Sequence, residues 1–452
     1  MLFLKTLAIF SPPTNIIQNK FNLGNHFIDF YVKLWYNVVL FKGGYTMFLR
    51  ELSLDEFEKF SLTHFIGNFH ESINYALLKT EEGFEYEFIG YGNENIVAAA
   101  LILYKKIGNT YYGYSPRGFL IDYSNEYLLA EFTKQIKEYY KKKKFTFIKI
   151  NPEIAIAKLN KDDMNFVYNE NYRIIDILIK CGYKKLKNNM NFEALLPRIN
   201  AIVNMENFDH TKLSKNTRNK VKKGLRKGLT IEKASPEKLN IFYKFIKNKI
   251  DKEEYYYNDF YNVFSRSSVV DLIMVKVDYK KYLINAQNAY NLELKKNAIL
   301  NNKLIEKNQA KIINAKMNSD RALLSYKNDI AEASKKINTN EDVYVAGALV
   351  IKYQNRVIIQ ISGFDRSMTR FSANYFLYYA LIKYYQNDYK YMDLNGITAD
   401  MNKSSKYYGL NRFKLGFNPD VYEYIGEFDL IIDEKEYNKL LNFGLLAKEF
   451  NK

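Results

Sequence analysis

The stretch NIVAAALILYKK, Asn95–Lys106, returns in outline as VYVAGALVIKYQ, Val343–Gln354. Both stretches are apolar and contain several β-branched residues, which predicts a strand in each place. EYEFIGYG comes before the first stretch and RVIIQISGF follows the second, so each predicted strand has a neighbour with which it can pair. The likeness indicates two copies of one sheet motif.

Helices and further strands are predicted around both copies. In the first block, a helix over residues 124–144 precedes the strand KFTFIKINPE, which Pro152 stops. The second block starts near residue 200, where a long helix over residues 371–386 precedes the strand KYMDLNGI. This alternation predicts an α+β protein with mixed sheets.

Two domains are expected, because a chain of 452 residues exceeds one typical core. We predict a first domain over residues 47–198, completed by residues 420–452, and a second domain over residues 199–419. Residues 1–46 are treated as a doubtful N-terminal extension. The segment FKGGYTM, Phe41–Met47, can be encoded as a ribosome-binding site followed by a start codon, so we expect translation to begin at its final methionine.

Residues 279–338 are predicted to form two antiparallel helices inserted into the second domain. Glycine and proline are both absent from this segment, and apolar residues recur at helical spacing. These residues are Leu283, Ala286, Tyr290 and Leu294 in the first arm and Ile313, Met317, Leu324 and Ile330–Ala331 in the second. We expect the turn between residues 307 and 319. A structural stalk and an arm that contacts RNA or a partner both fit this pattern.

The composition limits the classes of function. Lysine and arginine exceed aspartate and glutamate by 17, which favours a polyanionic partner or an anionic membrane surface. The single cysteine, Cys181, excludes an intrachain disulfide and fits a reducing cytoplasm. The four histidines, His26, His64, His70 and His210, lack metal-ligand spacing, so we expect neither a metal site nor a histidine-based triad. No apolar run approaches the roughly 20 residues that a membrane-spanning helix requires.

The segment KLSKNTRNKVKKGLRKGL, Lys212–Leu229, is strongly basic and contains no acidic residue. On a helix its charges leave Val221, Leu225 and Leu229 as a narrow apolar stripe. A solvated helix usually mixes charges of both signs, so this pattern favours phosphate contacts over a solvated surface. Complete pairing with phosphates would give binding a log–log salt slope on the order of −6 or −7. The predicted contacts are Lys215, Arg218, Lys220, Lys222, Lys223, Arg226 and Lys227.

The stretch YYGYSPRGFLIDYS, Tyr111–Ser124, contains a stiff corner between a predicted strand and an apolar run. Proline fixes one turn angle there, and glycine permits a conformation that other residues avoid. The corner holds Arg117, and Asp122 follows it. Arg117 is either a solvated charge on a loop or a cation that the corner presents to a ligand.

A second constellation lies in DLNGITADMNKSSKYYGLNRFKLGFNP, Asp393–Pro419. A predicted strand ends at Asn395, a polar loop follows, and Arg412 and Lys414 then lie among aromatic residues. Two cations at a strand-to-helix junction can stabilise an oxyanion or a phosphate. Ordinary surface charges are the alternative interpretation.

Together these phrases resemble the Fem-type (FemABX) family of peptidoglycan bridge-forming aminoacyltransferases. YSPRGFLID, LSKNTRNKVKK, DLNGI and GLNRFKLGF fall in the order seen in that family, and the resemblance covers residues 47–450. It implies two GNAT-like (acyl-CoA N-acyltransferase-like) domains, of which the second carries the predicted helices as a coiled-coil hairpin.

The resemblance also implies a function. Such an enzyme transfers an amino acid from aminoacyl-tRNA to the stem peptide of a peptidoglycan precursor, either lipid II or a UDP-linked form. Because the ester is already activated and the acceptor amine is the nucleophile, we expect no cofactor and no metal. The resemblance further implies a cytoplasmic enzyme in peripheral contact with the inner face of the plasma membrane, with a paired homologue as a candidate partner.

Individual site residues follow from the same resemblance. Lys414 matches the family's functional lysine and is expected to stabilise the oxyanion or the leaving group. Lys79 matches a position near the precursor cleft and is expected to contact the diphosphate. Arg117 then becomes a cation for the precursor, and Asp122 and Arg412 are further predicted substrate-binding residues.

The resemblance does not identify the general base that accepts a proton from the acceptor amine. The family often has an aspartate before the proline of KINPE, where this chain has Asn151. Asparagine can orient an amine but cannot accept its proton, so Asn151 is predicted only to position the amine. Asp122, Asp393, a water molecule or the substrate itself is left as the proton acceptor.

Two other functions compete with this one. An acyl-CoA-dependent N-acyltransferase would cradle the CoA pyrophosphate with an R/Q-x-x-G-x-G/A loop, and the sequence has no match to that pattern. A non-enzymatic scaffold would bind tRNA or other RNA through the basic segment and form no product. The sequence does not specify which amino acid would be transferred.

Overall fold

A computed structural model describes residues 47–192, 195–249, 252–307, 309–338 and 342–442. Within them the chain forms two mixed β-sheets with helices packed against each, so the predicted α+β class with mixed sheets is confirmed. The predictions for residues 1–46 lie outside the described residues.

The first sheet has seven strands, β1 (Phe48–Glu51), β2 (Glu85–Gly92), β3 (Ile96–Ile107), β4 (Thr110–Ser115), β5 (Phe145–Ile150), β8 (Tyr183–Lys185) and β16 (Phe428–Ile431). They lie in the order β1-β2-β3-β4-β5-β16-β8. The accompanying helices are α1 (Leu54–Thr63), α2 (Ile73–Glu81), α3 (Glu126–Lys142), α4 (Ile174–Lys180) and α12 (Glu434–Asn442).

The second sheet has nine strands, β6 (Ala155–Leu159), β7 (Phe166–Tyr168), β9 (Ile199–Asn204), β10 (Leu229–Lys233), β11 (Val270–Val277), β12 (Tyr344–Tyr353), β13 (Arg356–Phe364), β14 (Tyr391–Ile397) and β15 (Asp420–Tyr424). They lie in the order β10-β11-β12-β13-β14-β9-β15-β6-β7. The helices of this part are α5 (Lys215–Arg226), α6 (Leu239–Ile246), α7 (Glu254–Ser265), α8 (Tyr279–Glu306), α9 (Ala310–Lys336), α10 (Ala373–Tyr385) and α11 (Tyr408–Leu415).

The two similar sequence stretches occupy equivalent places in the two sheets. The first forms β3, which pairs antiparallel with β2 and β4, and β4 then pairs parallel with β5. The second forms β12, which pairs antiparallel with β11 and β13, and β13 then pairs parallel with β14. One succession of strand pairs therefore occurs twice in the chain.

The sheets do not follow the predicted domain boundaries. Strands β6 and β7 fall within residues 47–198 but lie in the second sheet, where β6 pairs with β15. Strand β15, which falls within residues 420–452, also lies in the second sheet. Strand β16, from the same range, joins the first sheet, as predicted for that range. Pro152 cannot continue the β5 ladder because it lacks an N–H group, and the next strand belongs to the other sheet. The division into two GNAT-like domains stays a prediction.

One apolar core joins the two sheets. It contains Phe57, Leu101 and Leu120 from the first part of the chain and Phe242 and Leu349 from the second. The C-terminal end of α1 is also fastened to the second sheet. Nε2 of Gln354, in the turn between β12 and β13, donates hydrogen bonds of 3.1 Å to the carbonyl oxygen of Leu62 and 3.0 Å to that of His64.

Helices α8 and α9 form the predicted antiparallel pair. The Tyr282 hydroxyl lies 3.3 Å from a carboxylate oxygen of Glu332, and Nδ2 of Asn297 donates to Asp320 at 2.8 Å. The predicted apolar seam is partly wrong, because Leu294, Ile313, Met317 and Leu324 are exposed. Polar groups lie between the helices instead, including Asn297 and Ser319, which are joined by a hydrogen bond of 3.1 Å. Coiled-coil geometry stays a prediction.

Candidate active site

Two adjoining cavities share Gln360 of β13 and Asn395 of β14. The larger, which we call the Lys414 cavity, has a volume of about 390 Å³. The other, the Glu153 cavity, has a volume of about 230 Å³. A more open groove of about 620 Å³ between α3 and α4 contains none of the predicted site residues, so the adjoining pair is the candidate site.

The two cavities differ in their linings. The Lys414 cavity is lined mainly by apolar and aromatic side chains, among them Phe192, Ile359, Ile361, Leu377, Tyr378, Leu394, Leu410 and Phe413, with Lys249 and Lys414 as its cations. The Glu153 cavity is more polar and is lined by Asn68, His70, Arg117, Glu153, Asn200, Gln360, Asp393 and Asn395 together with Phe69, Ile358 and residues 195–197.

Lys414 lies on α11 with its side chain buried. Its Nζ atom donates a hydrogen bond of 2.6 Å to the carbonyl oxygen of Gly396 in β14. Burial lowers the pKa of Lys414 to about 7, although the nearby Asp393 carboxylate opposes the shift. Both protonation states are therefore populated near neutral pH, which suits a group that stabilises an oxygen as it gains charge.

Four side chains of alternating charge form a series beside the Glu153 cavity. Nε of Arg117 lies 3.9 Å from Oε2 of Glu153, and Glu153 also pairs with Arg356. Arg356 in turn lies 3.8 Å from Oδ2 of Asp393. Burial alone would raise the pKa of Glu153, but the charges of Arg356 and Arg117 lower it below its usual value. The pKa of Asp393 is raised, because burial outweighs the charge of Arg356.

The Pro-Arg-Gly corner has a strained backbone and a buried side chain. Arg117 adopts a φ of 59°, in the left-handed region that residues other than glycine avoid. Its backbone N–H donates to Oδ1 of Asn151 at 2.8 Å, and its guanidinium donates to the carbonyl oxygen of Pro197 at 3.0 Å. A Cβ atom at Gly118 would collide with the carboxylate of Glu71, which explains the glycine. Arg117 is thus a buried residue of the cavity wall that is hydrogen-bonded to Asn151 and Pro197, and not a solvated loop residue.

Asn151 has a structural role that the sequence did not predict. Besides holding Arg117, its Oδ1 atom accepts a hydrogen bond of 3.3 Å from the Tyr114 hydroxyl. It lines a void of about 10 Å³ and neither of the two larger cavities. Because its amide oxygen is already used within the protein, Asn151 is not placed to position an acceptor amine.

Three other predicted substrate-binding residues lie outside both cavities. Lys79 on α2 pairs with Glu82 at 2.7 Å. Asp122 accepts hydrogen bonds of 2.9 and 2.6 Å from the backbone N–H and the hydroxyl of Ser124. Arg412 on α11 is exposed. Neither cavity is lined by any of the three, and their contacts with substrate stay predictions.

The basic helix α5 begins beside the helix that carries Lys414. The backbone N–H of Ser214, the N-cap of α5, donates 3.0 Å to the carbonyl oxygen of Gly416, just after α11. Among the predicted phosphate contacts, Lys215 and Lys222 are exposed, whereas Arg218, Lys220, Lys223 and Arg226 are half-buried. The first turn of this basic surface therefore lies next to the end of the Lys414 helix.

The buried face of α5 differs from the predicted stripe. Val221 is buried as predicted, but its companions in the helix are Thr217 and Gly224, and Leu225 is exposed. A Cβ atom at Gly224 would lie 2.9 Å from Cβ of Phe376, so the glycine allows α5 to approach α10 closely.

Lys227 is unavailable to a phosphate, which corrects its predicted role. Its buried Nζ atom donates 2.5 Å to the Tyr282 hydroxyl and 2.8 Å to Oδ1 of Asp329. Arg226 lies 3.7 Å from the same aspartate. These contacts fasten the α8–α9 pair to the end of α5, so the charge of Lys227 serves packing between helices.

Several residues of the site were not predicted from the sequence. Glu153 could have been predicted from the sequence, because it stands two residues after Asn151 in the KINPE motif. Arg356 and Gln360 come from β13, which has no polar motif. His70 is not among the predicted site residues because the histidines lack metal-ligand spacing, yet it lines the Glu153 cavity.

Comparison with known proteins decides the family. The family described as the FemAB family matches residues 52–442. This chain belongs to the FemAB family. The aminoacyltransferase FemA of Staphylococcus epidermidis is 26% identical over 407 residues, which cover 86% of this chain and 96% of that relative. The lipid II:glycine glycyltransferase of Staphylococcus aureus is 25% identical over 410 residues, which cover 84% of this chain and 92% of the relative.

A solved structure agrees with the fold of this FemAB protein. The crystal structure of FemX superposes with a TM-score of 0.68 at 22% sequence identity, covering 87% of this chain and 99% of FemX. The predicted family and the predicted enzyme class, an aminoacyltransferase, are confirmed by these matches. Among the helices that the structure describes, none combines the length and apolar character needed to cross a bilayer.

Proposed function

We propose that this FemAB protein transfers an amino acid from aminoacyl-tRNA to the stem peptide of a peptidoglycan precursor, lipid II, in interpeptide bridge synthesis. The observation that carries the proposal is buried Lys414, with a pKa of about 7, in a cavity that adjoins a second, charged cavity. A relative named lipid II:glycine glycyltransferase supports lipid II as the acceptor.

The donor ester occupies the Lys414 cavity in this proposal. The apolar and aromatic lining excludes water from the ester, which strengthens a hydrogen bond from Nζ of Lys414 to the carbonyl oxygen. Contacts from Lys215, Lys220 and Lys222 to phosphates of the tRNA acceptor end are part of the proposal, and they are supported by the start of helix α5 beside α11.

The acceptor amine enters from the Glu153 cavity. Glu153 and Asp393 supply negative charge that attracts an ammonium group, and Gln360 and Asn395 lie where the two cavities meet. Binding of both substrates therefore brings the nitrogen towards the ester carbonyl, and this alignment is a major source of rate enhancement.

The chemistry needs no group beyond the substrates and these side chains. The ammonium loses a proton, its nitrogen forms a C–N bond with the ester carbonyl, and the C–O bond to the ribose breaks. Lys414 stabilises the tetrahedral oxyanion or the leaving oxygen. No cofactor is required, since the ester supplies the free energy of transfer.

The proposed place of action is the inner face of the plasma membrane. Lipid II is anchored in the bilayer, and a protein with a formal net charge of +17 is attracted to anionic lipid headgroups. Peripheral contact is sufficient for this arrangement, and a paired homologue would be a second partner at the same surface.

Product mass tests the function directly. The purified protein is incubated with lipid II and a mixed pool of charged tRNAs, and the precursor is then analysed by mass spectrometry. We expect lipid II to gain the mass of one amino-acid residue, that is, the amino acid less water, which also identifies the residue transferred. Uncharged tRNA and acyl-CoA serve as controls, and a UDP-linked precursor replaces lipid II in a parallel reaction. A mass gain only with acyl-CoA, or none with any donor, would refute the proposal.

A further inference from the structure

His70 lines the Glu153 cavity from the segment that joins α1 to α2. The residue is 7% exposed, and its ring lies against those of Phe69 and Tyr75, with centroid separations of 3.8 and 4.8 Å. The imidazole is therefore held in one orientation at the wall of the cavity through which the acceptor amine enters in the proposed function.

The partners of Asn68 decide which ring nitrogen of His70 carries the proton. Nδ2 of Asn68 donates to Oε2 of Glu153, a carboxylate whose pKa is lowered by two arginines. An ionised carboxylate can only accept, so Asn68 presents its amide oxygen to the histidine. Nδ1 of His70 lies 2.6 Å from that oxygen and must be the N–H donor, which leaves a lone pair on Nε2.

Among the described acids and bases that line the cavity, Nε2 of His70 is an acceptor atom without a hydrogen-bond partner, whereas the carboxylate oxygens are already bonded. In the described part of the chain Nε2 of His70 makes no hydrogen bond. Glu153 accepts from Asn68, and its other oxygen accepts from an arginine and a tyrosine. Asp393 accepts from the backbone N–H of Asn395 at 2.7 Å and also faces Arg356.

The imidazole is also in the protonation state that a base requires. Burial, reinforced by the positive charges of Arg117 and Lys79, holds the pKa of His70 well below its usual value. The ring is therefore neutral at neutral pH before the ammonium arrives, and because the same burial and charges oppose the imidazolium, any proton that Nε2 takes up is quickly passed on to water.

We infer that Nε2 of His70 accepts the proton that the acceptor ammonium loses before attack. This inference rests on the proposed function. An N–H bond of the ammonium breaks and an N–H bond forms at Nε2, which leaves a neutral amine and an imidazolium. The amine then forms the C–N bond, and the C–O bond of the ester breaks. The second proton of the attacking nitrogen passes to the leaving ribose oxygen, and His70 releases its own proton to water.

Two acceptor substrates distinguish a role of His70 in proton transfer from a purely structural role. His70→Gln keeps a polar side chain but cannot take up a proton. With lipid II we expect its turnover to fall about 100-fold or more, the usual contribution of a general base. With a lipid II analogue whose acceptor amine is replaced by a hydrazide, which is unprotonated at neutral pH, we expect the variant to match the wild type. His210→Gln, at an exposed histidine, is the matched control and should be unchanged with both acceptors.

The outcomes distinguish this inference from the function on which it rests. Equal losses with both acceptors, or no loss with lipid II, would overturn the role of His70 and leave the proposed function intact. A wild-type protein that modifies neither acceptor would overturn the function itself. If His70→Gln does not fold, nitrogen NMR of the wild-type protein still tests the inference, because it shows which ring nitrogen of His70 carries the proton. The proton must lie on Nδ1, and a proton on Nε2 would refute the inference.

Discussion

Nζ of Lys414 and the carbonyl oxygen of Gly396 are joined by a hydrogen bond of 2.6 Å that ties α11 to β14. A Cβ atom at Gly396 would collide with the ring of Pro197, so the glycine allows β14 to pack closely against the segment that precedes β9. The carbonyl oxygen of Pro197 accepts a hydrogen bond from Arg117 at 3.0 Å. The two cations emphasised by the sequence are thus connected through one short chain of contacts.

The charge of Lys414 should control the pH dependence of transfer. Because burial lowers its pKa to about 7, the ammonium form is lost as pH rises through that value. We expect kcat of the wild type to fall above pH 7, and this fall should be absent in Lys414→Arg, which stays charged. Lys414→Met should lower kcat about 100-fold below pH 7, and the gap to the wild type should shrink as pH rises and the wild type loses its charge. Steady-state rates from about pH 6 to about pH 9 provide the check, and a wild-type rate that rises throughout would contradict it.

The main effect of removing the Arg117 side chain should be a loss of folding stability. Its removal leaves the buried carboxylate of Glu153 short of a partner, so Arg117→Ala should lower the free energy of unfolding by about 3 kcal/mol. Arg412→Ala, at an exposed position near the same cavities, should change it by less than about 0.5 kcal/mol. Urea denaturation measures both variants. If Arg117→Ala were as stable as the wild type but bound the precursor weakly, the side chain would be a ligand contact instead.

Glu71 should make stability depend on pH. Burial raises its pKa from 4.5 to about 8, so the folded protein keeps a proton that the unfolded chain releases in this range. The resulting stabilisation is complete below pH 4.5 and is lost towards pH 8, at about 1.4 kcal/mol per pH unit. Glu71→Gln can still bond to Leu101 and Ser115 but does not titrate. Urea unfolding at the two ends of this range should therefore favour the variant increasingly as pH rises, and a constant difference would refute the assignment.

Three lysines of α5, of which two are exposed and one is half-buried, should determine how tRNA binding depends on salt. Replacing Lys215, Lys220 and Lys222 by glutamine removes three predicted phosphate contacts, which should reduce the log–log salt slope by about 2 to 3. The matched control changes Lys134, Lys137 and Lys141 to glutamine in the open groove beside α3. Binding isotherms at several salt concentrations compare the two sets. Equal changes in slope would show that the effect is one of net charge and not of a defined surface.

Much of this protein could be derived from the sequence alone. The strands β3 and β12 and the long helices α8 and α9 all came from contiguous stretches of sequence. Such features depend on side-chain periodicity and local backbone preference, which neighbouring residues carry with them. The order of four short phrases was likewise enough to identify the family, which the match over residues 52–442 confirms.

Only the tertiary structure decided what the individual charges do. Glu153 and Arg356 are 203 residues apart and meet at the cavity wall, while Lys227 meets Asp329 inside a helix packing interface. A charged side chain has the same local pattern whether it is solvated or buried, and its environment depends on partners that distant segments bring to it. Burial also lowered the pKa of Lys414, and the contact with Asn68 left the other nitrogen of His70 free, and no motif contains that information.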